Sequence, residues 1–193
     1  MKNIVLEILA ESIAVKDRSI KDNIEVIIKA ADILSGCLTS GHKILIFGNG
    51  GSAADSQHIA AEFVNRFQIE RPPLAALALT TDTSVMTSIG NDYRFDDIFA
   101  KQIKALGKED DVAWGISTSG NSKNVIEGIQ AARELGLYTI GMTGHGGRLA
   151  TSADLVFTVD SPTTARIQET HITLGHILCE LVERTLFPDD TTV

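Results

Sequence analysis

The chain has 193 residues, 44% hydrophobic and 22% charged, which suits one domain with a buried core and a soluble surface. The formal net charge of −8 argues against a nucleic-acid binder, which would show a basic face, yet leaves room for an anionic small molecule held by backbone N–H groups and hydroxyls. The apolar runs, such as residues 43–47, are far too short to cross a bilayer, and Glu7 and Glu11 interrupt the N-terminal apolar stretch, so it does not read as a secretory leader. The cytoplasm is the expected compartment. Cys37 and Cys179 lie in helical apolar patterns and are expected to be buried core thiols.

Residues 1–40 carry apolar positions at Ile4, Ile8, Ile20, Ile24, Ile27, Ile28 and Leu34, a helical stripe, with a bend expected near 17–19 and an end between Gly36 and Gly41. A short strand over 43–47 then enters the loop GNGGS, and a helix follows over 53–67, stopped by Pro72 and Pro73. Beyond it the pattern predicts a strand over 74–79, a short helix over 84–89 and a helix over 95–106. A strand over 111–117 leads into the loop STSGNS and a helix over 123–135; strands over 137–142 and 155–159 precede a closing helix over 164–186, ended by Pro188. Strands this short and continuously apolar, alternating with helices, imply a parallel sheet covered on both faces. In such sheets ligands bind at the carboxyl ends of the strands, where both polar loops fall.

The first loop is Gly48-Asn49-Gly50-Gly51-Ser52, with Ser52 where a helix N-cap is expected; the second, residues 117–122, carries hydroxyls at Ser117, Thr118, Ser119 and Ser122, the last again at an expected N-cap. Glycines let the backbone approach a ligand closely, and a helix N-terminus offers unpaired N–H groups and partial positive charge, so each loop can cradle phosphate. Neither is a Walker A loop, which needs Lys and Ser/Thr after the glycines, and GNGGSA lacks the third glycine of the dinucleotide fingerprint.

After the first loop His58 and Glu62 stand at i and i+4, on one helix face, and the last helix carries Gln168, His171 and His176. Aldose–ketose interconversion needs a base for a carbon-bound proton and a partner that moves protons between neighbouring oxygens, for which Glu and His are the usual groups. His, Glu, Gln and His also make a reasonable zinc ligand set. His176, among Leu174, Ile177 and Leu178, is expected to be buried and in need of a partner, whereas His171 reads as structural. Gln168 and His176 are roughly 12 Å apart along a continuous helix. They reach one ion only if Gln168 lies in a loosened first turn or if different subunits contribute.

The stretches FGNGGSAADSQHIAAEF, GND at 90–92, ISTSGNS and RIQETHITLGH resemble the phosphoheptose isomerases, that is, sedoheptulose-7-phosphate isomerases, of the sugar isomerase (SIS) domain superfamily, and the likeness runs over nearly the whole chain. The resemblance implies an α/β, flavodoxin-like three-layer sandwich around a five-stranded parallel sheet. It implies a single SIS domain over 1–193, with a helical segment, 1–40, used in oligomerisation, and a homotetramer with active sites at subunit interfaces. It makes Glu62 and His176 the catalytic acid/base pair. Asn49, Gly50, Gly51, Ser52, Glu62, Asn91, Asp92, Ser117, Thr118, Ser119, Ser122 and Gln168 match substrate-binding positions, and His58, Glu62, Gln168 and His176 match the ligands of one zinc ion per subunit. The implied reaction converts sedoheptulose 7-phosphate to D-glycero-D-manno-heptose 7-phosphate, the first step toward nucleotide-activated heptose for lipopolysaccharide or other surface glycans. A membrane or nucleic-acid partner is not implied.

Three alternatives stand beside this one. Paralogues in the same superfamily act as protein-binding tetramers that assist the bacterial replication initiator, and NRFQIERP and the ending TLFPDD resemble that group. Those paralogues lack the acid and the histidine that Glu62 and His176 supply here. A phosphosugar sensor would need the loops but not those two groups, and an isomerase of another phosphosugar would need both.

Overall fold

The computed structural model describes residues 1–188; Asp189 and Asp190, the last two residues of the TLFPDD ending, lie outside them. Two N-terminal helices, α1 (Lys2–Asp22) and α2 (Ile24–Thr39), precede the alternating part of the chain. That part runs β1 (Ile44–Gly48), α3 (Gly51–Val64), β2 (Ala76–Ala78), α4 (Thr83–Asp92), a 3-10 turn (Phe95–Asp97), α5 (Ile98–Leu106), β3 (Val112–Ser117), α6 (Lys123–Glu134), β4 (Tyr138–Thr143), α7 (Leu149–Ser152), β5 (Leu155–Thr158) and α8 (Thr164–Leu186). All strand pairings are parallel and the order is β2-β1-β3-β4-β5, the flavodoxin-like arrangement.

Side-chain alternation splits the core into two layers. Ile44, Ile46, Trp114, Ile116, Ile140 and Phe157 face a layer built from α1, α2, α3 and α8. Leu45, Phe47 and Ala113 face the other, where Ile98, Phe99 and Ile103 of α5 pack with Val125 and Ile129 of α6. Every residue of β1 and β3 is buried, as expected of strands covered on both sides. Among the described residues no helix is long and apolar enough to cross a membrane.

Several expectations are corrected. The N-terminal helices break at Asn23, not near 17–19, because the Asn23 amide donates to the carbonyls of Ser19 (2.7 Å) and Thr158 (3.0 Å), tying the corner to the edge strand β5. The end of α2 stands as expected: it falls at Thr39, between Gly36 and Gly41, and the chain turns at Gly41, where φ is +80°. Helix α3 ends at Val64, well before Pro72, because the Arg71 guanidinium caps its last carbonyls. The short helix α7 was not foreseen. Both cysteines are free and buried, as expected, and burial pushes the Cys37 thiol up to about 11.

Candidate active site

The two polar loops leave β1 and β3, adjacent strands whose register pairs Gly48 with Ile116. This is where the strand order reverses and where a crevice opens in such sheets. In the first loop Gly50 has φ +56° and is itself the N-cap of α3, so Ser52 lies in the first turn, 3% exposed, and is not the cap. In the second, Ser117 Oγ donates to Ser122 Oγ (2.9 Å), and Ser119 Oγ accepts from the Asn121 N–H (3.1 Å). Ser122 occupies the N-cap position of α6 without making a capping bond. At Gly120, φ +64°, a Cβ would collide with the Gly146 carbonyl, so the loop closes only on glycine. The Asn49 and Asn124 side-chain amides exchange two hydrogen bonds of 2.8 Å, joining the first loop to the helix that follows the second. Beside the second loop a cavity of about 260 Å³ is lined by Thr118, Ser119, His145, Ser161, Thr164 and Ile167. Of these, sequence reasoning missed His145, Ser161 and Thr164, which reach the loop only through the fold.

Helices α3 and α8 both begin at this end of the sheet and pack together. Gly51, Asp55, His58 and Glu62 form one stripe of α3 by their i+3 and i+4 spacing. His58 Nε2 lies 2.8 Å from His176 Nε2 on α8 and 3.4 Å from Glu62 Oε1, so three of the expected site residues meet across the seam. At that distance one imidazole carries its hydrogen on Nε2 and the other presents a lone pair. The Phe67 ring stacks on His176, centroids 5.4 Å apart at 26°. Burial, then the neighbouring His58, pushes His176 below the usual histidine value, against the pull of Glu62. Asp55, missed in the sequence although it stands three residues before His58, has one buried carboxylate oxygen with no hydrogen-bond partner, and its burial raises it above the usual carboxylate range.

Of the two histidines of α8, His176 departs from expectation and His171 does not. His176 is only partly buried, while His171 is fully buried, bonds the Thr143 carbonyl through Nε2 (3.2 Å) and is pushed by burial down to about 4. His171 is therefore a neutral core group, as expected of a structural histidine.

The expected zinc donors lie on α3 and α8. Helix α8 is unbroken from Thr164 to Leu186, so no loosened turn carries Gln168 toward His176. Instead the Gln168 amide lies against Gly51, so close that a Cβ there would run into it. Among the described residues no group of three or more His, Cys, Asp or Glu stands ready to hold a metal ion. His58, Glu62 and His176 approach one another, and the Gln168 amide lies against Gly51 at the start of α3.

Asn91 and Asp92 end α4, exposed and bonded to each other (2.8 Å); α4 has no buried residue and packs chiefly on the 3-10 turn and α5. Two of the larger hollows contain none of the expected site residues. One, about 550 Å³, lies at the amino ends of the strands beside Cys37, His42 and Tyr138; the other, about 660 Å³, lies beside β2 and α4. The chemistry-bearing groups gather at the smaller cavity and the α3–α8 seam, so the site is assigned there.

A parallel sheet with two hydroxyl- and glycine-rich loops at its switch point defines a phosphosugar-binding type of α/β domain, and comparison narrows it. Residues 8–144 match the SIS domain. Phosphoheptose isomerase of Thermodesulfovibrio yellowstonii is 57% identical over 178 residues, covering 92% of this chain and 89% of that one. Phosphoheptose isomerase of Nitratidesulfovibrio vulgaris strain Hildenborough is 54% identical over 187 residues, covering 96% and 90%. The structure of phosphoheptose isomerase GmhA from Neisseria gonorrhoeae superposes with a TM-score of 0.89 at 48% identity, covering 94% of this chain and 98% of that one. The chain belongs to the SIS domain family and, within it, to the phosphoheptose isomerases.

Proposed function

We propose that the protein is an aldose–ketose isomerase that converts sedoheptulose 7-phosphate to D-glycero-D-manno-heptose 7-phosphate. The observation that carries this reading is His58 bridging toward both Glu62 (3.4 Å) and His176 (2.8 Å), which sets a carboxylate and an imidazole around one spot beside the loops. The Glu62 carboxylate removes a C1 proton from the open-chain ketose, and the C1–H electrons form the enediol C=C as the carbonyl π electrons move to O2. His176 passes a proton from O1 to O2, and Glu62 returns its proton to C2, leaving the aldehyde at C1. The hydroxyls and N–H groups of the second loop hold the phosphate away from the reacting carbons, and that remote binding fixes C1 and C2 against the two groups.

The initiator-assisting alternative is not favoured, since Glu62 and His176 are both in place. Each chain is one SIS domain working in the cytoplasm, and its product feeds nucleotide-activated heptose. Four copies assemble through residues 1–40, a reading supported by Ile4, Val5, Leu6, Ile8, Leu9 and Ile13 of α1, all at least half exposed. His58, Glu62, Gln168 and His176 would hold zinc, with Gln168 coming from another copy of the chain, and zinc bound there would polarise the carbonyl as a Lewis acid. Incubating the purified protein with sedoheptulose 7-phosphate, with and without added zinc, and following the aldoheptose by NMR tests the function. Turnover supports it; absence of turnover from the folded assembly in every metal condition overturns it in favour of another phosphosugar.

A further inference from the structure

Behind the α3–α8 seam lies an ion pair that the proposed chemistry does not use. The Arg71 side chain is fully buried, and its partner Glu183 is 2% exposed. A buried pair is weak evidence for stability, since apolar residues of similar volume often serve as well. What these two charges touch is more informative. Arg71 Nη2 donates to the Glu62 carbonyl (2.7 Å) and Nη1 to the Phe63 carbonyl (2.8 Å), while Nε donates to Glu183 Oε1 (2.9 Å). Arg71 thus holds the main chain of Glu62 at the last turn of α3, where carbonyls run out of donors from their own helix. The Glu183 carboxylate accepts from the backbone N–H groups of Phe67 and Gln68, both at 2.8 Å. Phe67 is the residue whose ring stacks on His176, and His176 stands two turns before Glu183 on α8. One ion pair therefore anchors the backbone that carries Glu62 and the ring that covers His176.

We propose that Arg71 and Glu183 are positioning residues that hold Glu62 and His176 in register for proton transfer. The inference rests on the roles assigned above to those two residues. The planar fork of Arg71 is what the arrangement requires, because a lysine keeps the charge but cannot reach Glu183 and two helix carbonyls together. Misplacing a reacting group by about 1 Å is enough to lower the rate about 100-fold while binding elsewhere persists.

The test uses Arg71→Lys and Phe67→Leu beside Glu62→Gln. Each is assayed at a temperature where circular dichroism shows it folded and its assembly matches the native protein. The substrate is sedoheptulose 7-phosphate, unlabelled and deuterated at C1. Arg71→Lys is expected to lower kcat by about 10- to 100-fold, to leave KM within about twofold and to raise the isotope effect on kcat, because proton transfer becomes limiting. Phe67→Leu, which keeps both charges and every backbone bond, is expected to lower kcat in the same way. A folded Arg71→Lys with native kcat and isotope effect overturns the proposal. Should Arg71→Lys not fold, native kcat in Phe67→Leu overturns it. Full activity in Glu62→Gln overturns the assignment of Glu62 instead, so the two failures are distinguishable.

Discussion

Asn49 and Asn124, 75 residues apart in sequence, face each other with paired amides at 2.8 Å in both directions. This reciprocal pair fixes the spacing of the two loops, one on each side of the switch point. Asn124 is 3% exposed, so replacing it strands the Asn49 amide. Asn124→Ala is expected to cost about 1 to 3 kcal/mol of stability, read by denaturant unfolding. It should also raise KM for the phosphosugar more than it lowers kcat, read by steady-state kinetics.

Gly51 is a test of site geometry separable from stability. It opens α3 without positive φ, so the backbone accepts alanine, a better helix former. A Cβ there would displace the Gln168 amide. Gly51→Ala is expected to keep native thermal stability and to lose at least about tenfold in kcat/KM, given how steeply rate depends on placement near the reacting atoms.

Much of this was legible in the sequence. Both loops, all five strands and α8 were expected where they stand, because short apolar runs and glycine- and serine-rich turns are local signals. What was missed is set by distant partners. The corner at Asn23 is fixed by Thr158 of β5, and the end of α3 by Arg71 reaching back across the loop. His176 is less buried than expected because it lies in the seam with α3, whereas His171, structural as expected, bonds Thr143 far away in sequence. Local pattern also could not say that the Gln168 amide lies against Gly51.

Acid stability should follow two buried carboxylates. For Glu183, burial pushes upward, but the N–H groups of Gln68 and Phe67 and the Arg71 guanidinium outweigh it and hold the group below its usual 4.5. For Asp111, burial is likewise outweighed by Lys43 and by the N–H groups of Lys43 and Lys108, below the usual 3.8. Depressed folded values mean that these groups stabilise the fold fully above about pH 5 and progressively less as pH falls through their folded values. Glu183→Gln is expected to cost about 3 to 5 kcal/mol at pH 7, by leaving Arg71 buried without its partner. It should also show a shallower loss below pH 5 than the native protein, read by urea unfolding across pH 3 to 7.

The exposed stripe of α1 predicts assembly through that helix. Leu9→Asp, at a position 54% exposed in the single chain, is expected to lower the mass in light scattering while circular dichroism stays native. An unchanged mass would move the interface elsewhere.

The account turns on Glu62 as the base for the C1 proton, and exchange of that hydrogen with solvent tests it most directly. Sedoheptulose 7-phosphate in deuterated water, followed by NMR, should gain deuterium at C1 with the native protein. With Glu62→Gln, folded and fully assembled, the exchange and the appearance of aldoheptose should both be lost, by at least about 100-fold. Exchange at C1 within twofold of native in that variant would contradict the account and assign the proton to another group.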